Sequence, residues 1–448
     1  MNQFQETKLK VLGMTSNERK VAWFASISHF FTHGYMTLLP AVFVVLAGDQ
    51  SLGFFALGAI VNIGYFLFGF GSIPAGILSD EIGPKRMLTI GLFGMATSSI
   101  LVGLSPNSVA FAISYALLGL SASIYHPSGL SLIAKHIEKK GKALGLHGVM
   151  GNIGLSLAPF FAGLMVMLFD TWRAPYLSFG LIGLIFTVIL HSRRIEGEEE
   201  TSFKKIFSLI AHKTVKPLFG SSGIVSRRER KEKGEDRLQT ETASIPVALL
   251  LLYTGSVLFG FIYRGSLTFF PALFQEGVQF VESSKEPVAL AGLVTTLILS
   301  TGMIGQWFGG YLSDKFRKPE IGHVIIYLII LPAVYLVSRM TDSWLIALSV
   351  VFSIVFYGWQ PLQNALIAKY TTKQSHGKGY GMNFFLIMGI GSIATAVGGY
   401  IADNQGVDKV YLLLAGMSLI ALLISITIMK YMRYAIRVSF SIEKGKTY

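Results

Sequence analysis

Twelve stretches of predominantly apolar residues, most of them 20 or more residues long, are spread along the chain, and they leave few folds open. They lie near 21–46, 52–78, 87–105, 108–134, 143–169 and 172–191, then 244–274, 287–312, 321–338, 344–368, 380–402 and 410–430. A helix needs about 20 such residues to cross a bilayer, and only helices or closed barrels satisfy every backbone polar group inside one. Composition agrees. Of 448 residues, 52% are hydrophobic and 14% charged, against about 25% charged in soluble domains. The 48 glycines suit membrane helices, where small residues let backbones approach. The expected fold class is therefore an all-α membrane protein. Residues 1–20 are polar, and the first apolar stretch is too long for a cleavable signal core, so it reads as a retained first span.

The basic residues give orientation. Of 38 Lys and Arg, four (Arg173, Lys285, Arg339, Lys409) fall in loops on one side and Arg264 falls inside a span. The other 33 lie on the opposite side, with both termini. Short cytoplasmic loops are the ones enriched in Lys and Arg, so both termini are expected in the cytoplasm of a multi-pass protein of the inner (plasma) membrane. The formal charge of +13 is thus topological and does not point to nucleic acid as a partner. The chain has no cysteine, which removes disulfides and thiolate–metal sites.

A polar stretch near 192–243 divides the spans six and six. The expected organisation is an N-terminal segment 1–20, a bundle 21–191, a cytoplasmic linker 192–243, a bundle 244–430 and a tail 431–448. The linker's Arg227, Arg228, Arg230, Lys231 and Lys233 read as a solvated basic run, and 203–219, mixed apolar and basic, as a surface-lying segment. The halves repeat in parallel. Gly76-Ile-Leu-Ser-Asp80 and Gly310-Tyr-Leu-Ser-Asp314 stand 234 residues apart, as do Leu132-Ile-Ala-Lys135 and Leu366-Ile-Ala-Lys369, each preceded by a proline, Pro127 or Pro361. Pro40 and Pro271 mark a third pair, at 231. Parallel six-helix halves with a solute site between them are a known transporter plan.

On these residues the chain resembles the major facilitator superfamily over essentially its whole length. The resemblance implies twelve transmembrane helices in two pseudo-symmetric six-helix bundles, a monomer surrounded by lipid, and no cofactor. Gly76, Asp80, Gly83, Lys85 and Arg86 match that family's signature loop between spans two and three, which latches the bundles at the cytoplasmic side. Glu81 and Pro84 stand where the family carries bases. Asp314 and Lys315 belong to the second copy, which lacks the glycine; the plain alternative for both copies is a topogenic basic loop. In span five Gly145, Gly154, Pro159 and Gly163 follow the spacing of the family's antiporter motif. With Ile124-Tyr-His-Pro-Ser-Gly129 this looks most like the fosmidomycin-resistance type of efflux carrier. Tyr115 stands near where many drug:proton antiporters carry an arginine.

Ionisable residues inside spans mark function, because the bilayer penalises them by several kcal/mol. Here they are His29 and His33 in span one, His126 in span four, His147 in span five and Arg264 in span seven. His33 and Arg264 are repeat-equivalent, and His29 lies one turn from His33 on the same face. A guanidinium with imidazoles suits a carboxylate or phosphonate, which makes His33, Arg264 and His29 expected solute contacts; snorkelling or backbone pairing is the structural alternative for Arg264. His126 and Tyr125 are repeat mates of Gln360 and Trp359, and these four are expected on the cavity wall. Asn152, Gln306, Asn364 and Asn383 are further mid-span amides. With no carboxylate well inside a span, proton coupling falls to His33, His126 or His147, each of which alone could equally be a packing histidine.

No phosphate-binding loop, catalytic cluster or histidine–carboxylate metal spacing is present, so neither an enzyme nor a metal site is expected. The leading expectation is a secondary carrier that exports a small anionic organic solute by alternating access, coupled to protons. Two alternatives stand beside it: an uptake symporter for an organic acid, siderophore or sugar phosphate, and a transporter-like membrane sensor.

Overall fold

The computed structural model describes residues 14–50, 52–138, 140–197, 236–315, 318–371 and 376–443. The linker's basic run and 203–219 lie outside the described residues, as do the side chains of Asp314 and Lys315. Among the described residues all regular structure is helical.

Eleven helices are long and apolar enough to cross a membrane. They are the second to twelfth spans: Phe54–Ile82, Pro84–Leu104, Ser108–His136, Ala143–Phe169, Arg173–Ser192, Val247–Gly277, Pro287–Leu312, Pro319–Val337, Asp342–Ile367, Gly379–Gln405 and Val407–Tyr431. The expected first span also forms, as Ser16–Ala41, with Phe43–Gln50 continuing beyond Val42. It is more polar than the rest because it carries Ser26, Ser28, His29, Thr32, His33 and Thr37. Most of its hydroxyls donate back to the helix's own carbonyls, Ser28 to Phe24, Thr32 to Ser28 and Thr37 to His33. A capping box starts it: Thr15 Oγ1 accepts the Glu18 N–H, and Glu18 Oε2 accepts the Thr15 N–H at 2.8 Å. The last helix runs on to Glu443, beyond the expected boundary at 430, because charge ends a hydropathy run without breaking helical backbone.

The internal repeat appears as matched irregularities. The fourth span breaks between Ala122 and Tyr125, and the tenth between Tyr357 and Trp359. Pro127 and Pro361 explain both, since proline cannot donate to the carbonyl four residues back and its ring crowds that turn. The eleventh span contains a π-helical segment, Leu386–Ile390, before Ile393–Gln405; such bulges concentrate at functional sites.

The bundles meet along two seams, fifth span on eighth and second on eleventh. Both run backbone against backbone at glycines. A Cβ on Gly163 would lie 2.7 Å from Ala289 Cα, and one on Gly399 2.6 Å from the Phe54 carbonyl carbon. Thr395 Oγ1 donates to the Gly58 carbonyl at 2.7 Å, and Asn62 Nδ2 donates to Ser392 Oγ at 2.8 Å. Near the same end Phe43 and Phe54 stack at 6.1 Å, and both meet Phe269 of the seventh span.

Candidate functional site

Toward the end that carries residues 14–16, 443 and both edges of the linker, the bundles part around a cavity of about 900 Å³. Its wall reaches Leu144 at the start of the fifth span and Tyr380 at the start of the eleventh. Gly145, Gly148 and Gly381 at this end have no atom of the described residues within 4 Å of where a Cβ would stand. The opposite end is shut by the glycine seams and the Phe43–Phe54–Phe269 group.

The N-terminal wall is built of imidazoles. His29 Nδ1 lies 2.7 Å from the His147 carbonyl oxygen, so that nitrogen carries the proton and donates. His29 Nε2 then presents its lone pair, and His33 Nε2–H, 2.9 Å away, donates to it. This leaves His33 Nδ1 as the acceptor of the pair. Glycine at 151 makes the arrangement possible, because any Cβ there would overlap the His29 ring. The His147 ring stacks on His29 at 3.9 Å, and His126 meets His29 edge-on at 5.2 Å and His33 at 5.5 Å. His126 Nε2 and His147 Nε2 are buried without a hydrogen-bond partner. Ligand nitrogens of His29, His33 and His126 all lie within 4.8 Å of one another. Sequence spacing pairs His29 with His33 on one helix face but gives no hint that His126 joins them, because it reaches the other two only through bundle packing.

The C-terminal wall is aromatic and amide-bearing: Phe259, Tyr263, Phe356, Tyr357 and Phe384, with Gln306, Gln360, Asn364 and Asn383. Asn152 of the fifth span donates to Gln306 Oε1 across the seam, and Gln306 donates on to Gln360 Oε1 at 3.3 Å. Deeper, Gln363 Nε2 and Ser256 Oγ converge on Asn383 Oδ1, at 3.1 and 2.7 Å.

A family profile, that of the Major Facilitator Superfamily, matches residues 24–396 and 287–438. The chain belongs to the major facilitator superfamily. It is a membrane transporter and not an enzyme. It is 24% identical over 415 residues to the probable hexose phosphate transport protein of Chlamydia pneumoniae, covering 89% of this chain and 87% of that one. It is 23% identical over 412 residues to the fosmidomycin resistance protein of Escherichia coli (strain K12), covering 89% and 90%. Among solved structures it is similar to a bacterial homologue of the human lysosomal transporter Spinster in its inward-facing, occupied conformation. That likeness has a TM-score of 0.73 at 14% identity, over 94% of this chain and 99% of the other. It shows the major facilitator fold.

On that fold the expected site residues divide. His29, His33, His126, His147 and Gln360 line the cavity, as do all four mid-span amides. Tyr125 and Trp359 do not. Tyr125 is fully buried behind the wall and donates to the Ala25 carbonyl at 2.7 Å. Trp359 stacks on Phe259 at 3.6 Å. A large ring beside a helix break fills the gap left by the break, which is why the repeat conserves size there without exposing it.

Arg264 also stands off the wall. It is 1% exposed, between the rings of Tyr65 at 3.9 Å and Tyr263 at 4.3 Å, with Nη2 2.6 Å from Met388 Sδ. Its Nε has no partner, and no ion pair involves it among the described residues. Tyr263 and Met388, which screen it, are themselves wall residues.

At the open end Asp80 is exposed and pairs with Lys135 of its own bundle at 3.9 Å; among the described residues it has no ion pair to the other bundle. Gly83 adopts φ 98°, which favours glycine, and Pro84 opens the third span at its first turn. Lys85 Nζ donates to the His191 carbonyl at 3.4 Å. Of the fifth-span motif, Gly154 packs on the backbone of Phe30, and Pro159 and Gly163 lie in the seam with the eighth span.

Proposed function

We propose that this chain is a secondary carrier that exports a small organic anion in exchange for protons. The solute binds in the histidine-lined cavity, and the same histidines carry the protons. The supporting observation is the charge inventory of the wall. It includes four histidines and no carboxylate, lysine or arginine among the described residues. An imidazole switches charge near neutrality, so such a cavity alternates between neutral and cationic. On the outward leg the imidazoles are neutral and fixed positive charge balances the anion, which lowers the penalty of moving it through the bilayer midplane. On the return leg the imidazoles, protonated from the other side, carry the protons inward. Arg264 adds fixed positive charge just behind Tyr263 and Met388. Hexose phosphate, the solute named for the chlamydial relative, is an anion of this kind. The direction rests on the fifth-span motif and on the full-length likeness to a resistance protein. With both termini in the cytoplasm of an inner membrane, the cavity faces inward, ready to load solute from within.

The test is flux in proteoliposomes under an imposed pH gradient, with glucose 6-phosphate, gallate and fosmidomycin as probes. Anion movement against the proton flow, abolished by a protonophore and lost in His126→Gln, supports the reading. Movement with the protons replaces it by uptake symport. Binding without flux replaces it by the sensor.

A further inference from the structure

Three of the wall histidines are placed in a way that proton carriage alone does not require. The Nε2 atoms of His29 and His33 stand 2.9 Å apart, and a ligand nitrogen of His126 completes a triangle with no side above 4.8 Å. Around a tetrahedral ion with bonds of about 2.0–2.1 Å, two ligand nitrogens lie roughly 3.3 Å apart. A cation there requires the His33 proton to move from Nε2 to Nδ1, which frees both Nε2 lone pairs, and ring rotations to open the His29–His33 spacing. The surroundings of His29 are also those of a metal ligand. Its Nδ1–H donates to the His147 carbonyl at 2.7 Å, which fixes the tautomer and aims the Nε2 lone pair at the cluster. Ligating histidines are oriented in this way, by donating their other N–H to a carbonyl or carboxylate. His126 Nε2 is buried with no hydrogen-bond partner, so the ring has donor capacity that the protein does not use.

We propose that His29, His33 and His126 bind one transition-metal dication of the zinc, cobalt or nickel kind, with its remaining position turned toward the cavity. The donor set selects this class. Imidazoles suit these ions, whereas magnesium and calcium require oxygen ligands that this wall does not offer as carboxylates. His147 is not in the ligand set, because its ring stacks face to face on His29 at 3.9 Å. With Arg264 nearby and no carboxylate on the wall, the dication's charge is best balanced by an anion from the cavity. This last point rests on the anion-carrier reading; the metal site itself rests on the geometry alone.

The experiment is a cobalt titration of the full chain, prepared in detergent without a polyhistidine tag, stripped with EDTA, at pH 7.5 and with no organic anion or gradient present. One equivalent of Co²⁺ should bind with visible d–d absorption of a four- or five-coordinate ion. Zn²⁺ should displace it and Mg²⁺ should not. His33→Gln and His126→Gln should each weaken binding at least about tenfold, while the surface variant His191→Gln should not. Absence of the band, or a band that persists in both cluster variants, overturns the proposal. If a cluster variant does not fold, X-ray absorption of the cobalt-loaded wild type decides, with three imidazoles supporting the site and an oxygen-only shell overturning it. Since no flux is measured, the metal site can fail while the anion carrier stands, and the reverse.

Discussion

The carboxylate of Asp403, on the eleventh span, accepts the backbone N–H of Phe54 at 2.7 Å, and its second oxygen accepts that of Phe55 at 2.8 Å. The N-cap residue of the second span is Gly53, which has no side chain with which to cap the helix. Its N-terminus is therefore capped from the opposite bundle, where the helix dipole favours an anion. A side-chain cap contributes about 1 kcal/mol. This end must part when access alternates, so the cap belongs to one state only.

Asp403→Ala should thus shift the equilibrium toward the state open at this end by about fivefold, since roughly 1.4 kcal/mol is tenfold. The natural absence of cysteine allows a clean readout. A membrane-impermeant maleimide should label Ala291→Cys, buried in the wild type, about five times faster in the Asp403→Ala background. Equal rates would mean that the cap contributes nothing to closure.

Arg264 and Tyr65 come from different bundles, and their cation–π contact at 3.9 Å crosses the interface. A desolvated contact of this type is worth about 2 kcal/mol. Tyr65→Phe keeps the ring face and should alter stability little beyond the loss of the hydroxyl's bond to the Met36 carbonyl. Tyr65→Leu should lower the thermal midpoint more. Arg264→Gln removes the fixed charge behind the wall, and acidic solutes should bind that variant at least about tenfold less tightly. If Arg264→Gln binds acidic solutes like wild type, the guanidinium is structural.

Tyr125→Phe separates packing from solute binding. The hydroxyl donates to the Ala25 carbonyl and does not reach the cavity. Its loss should cost about 1 kcal/mol of stability while solute affinity stays unchanged. An affinity change without a stability change would place Tyr125 on the solute path after all.

Much of this molecule was legible in the chain. Span number, the six-and-six division and the parallel repeat follow from apolar length and matched motifs, and the paired breaks at Pro127 and Pro361 follow from proline chemistry. The polar residues in spans pointed to the cavity because a bilayer tolerates them only at a wet or paired position, and His29, His33, His126, His147 and the four amides are there. Assembly was not legible. Which histidines meet depends on the relative depth of the first, fourth and fifth spans, and glycine at 151, which lets the His29 ring in, looks like any other membrane glycine. The aromatic wall was missed for a related reason. Phe259, Tyr263 and Phe384 carry no mark that distinguishes them from Phe93 or Phe169, which are exposed on the outer surface. Arg264 stands out in the sequence as a charge inside a span, but its screening by Tyr263 and Met388 does not, since Met388 lies in the π-helical turn at Leu386–Ile390.

The glycines of the fifth span give a last prediction, because the structure divides them by what they touch. Gly154 lies against the backbone of Phe30, which cannot yield as a flexible side chain can. Gly154→Leu should therefore push the first and fifth spans apart, displace the His29–His33 pair and lower the thermal midpoint by several degrees, as overpacking costs about 1–3 kcal/mol. Gly145, one end of the same motif, has no atom within 4 Å of a would-be Cβ. Gly145→Leu should leave the thermal midpoint and solute binding at wild-type values in the conformation described here. If the open end closes by bringing the fifth span against the other bundle, the new side chain has no room in the closed state, and transport should fall at least about tenfold, for a clash of 1.4 kcal/mol or more. Flux and thermal shift on the same two variants decide the point. Loss of flux with retained binding in Gly145→Leu assigns that glycine to closure, and wild-type flux would show that this face stays open throughout the cycle.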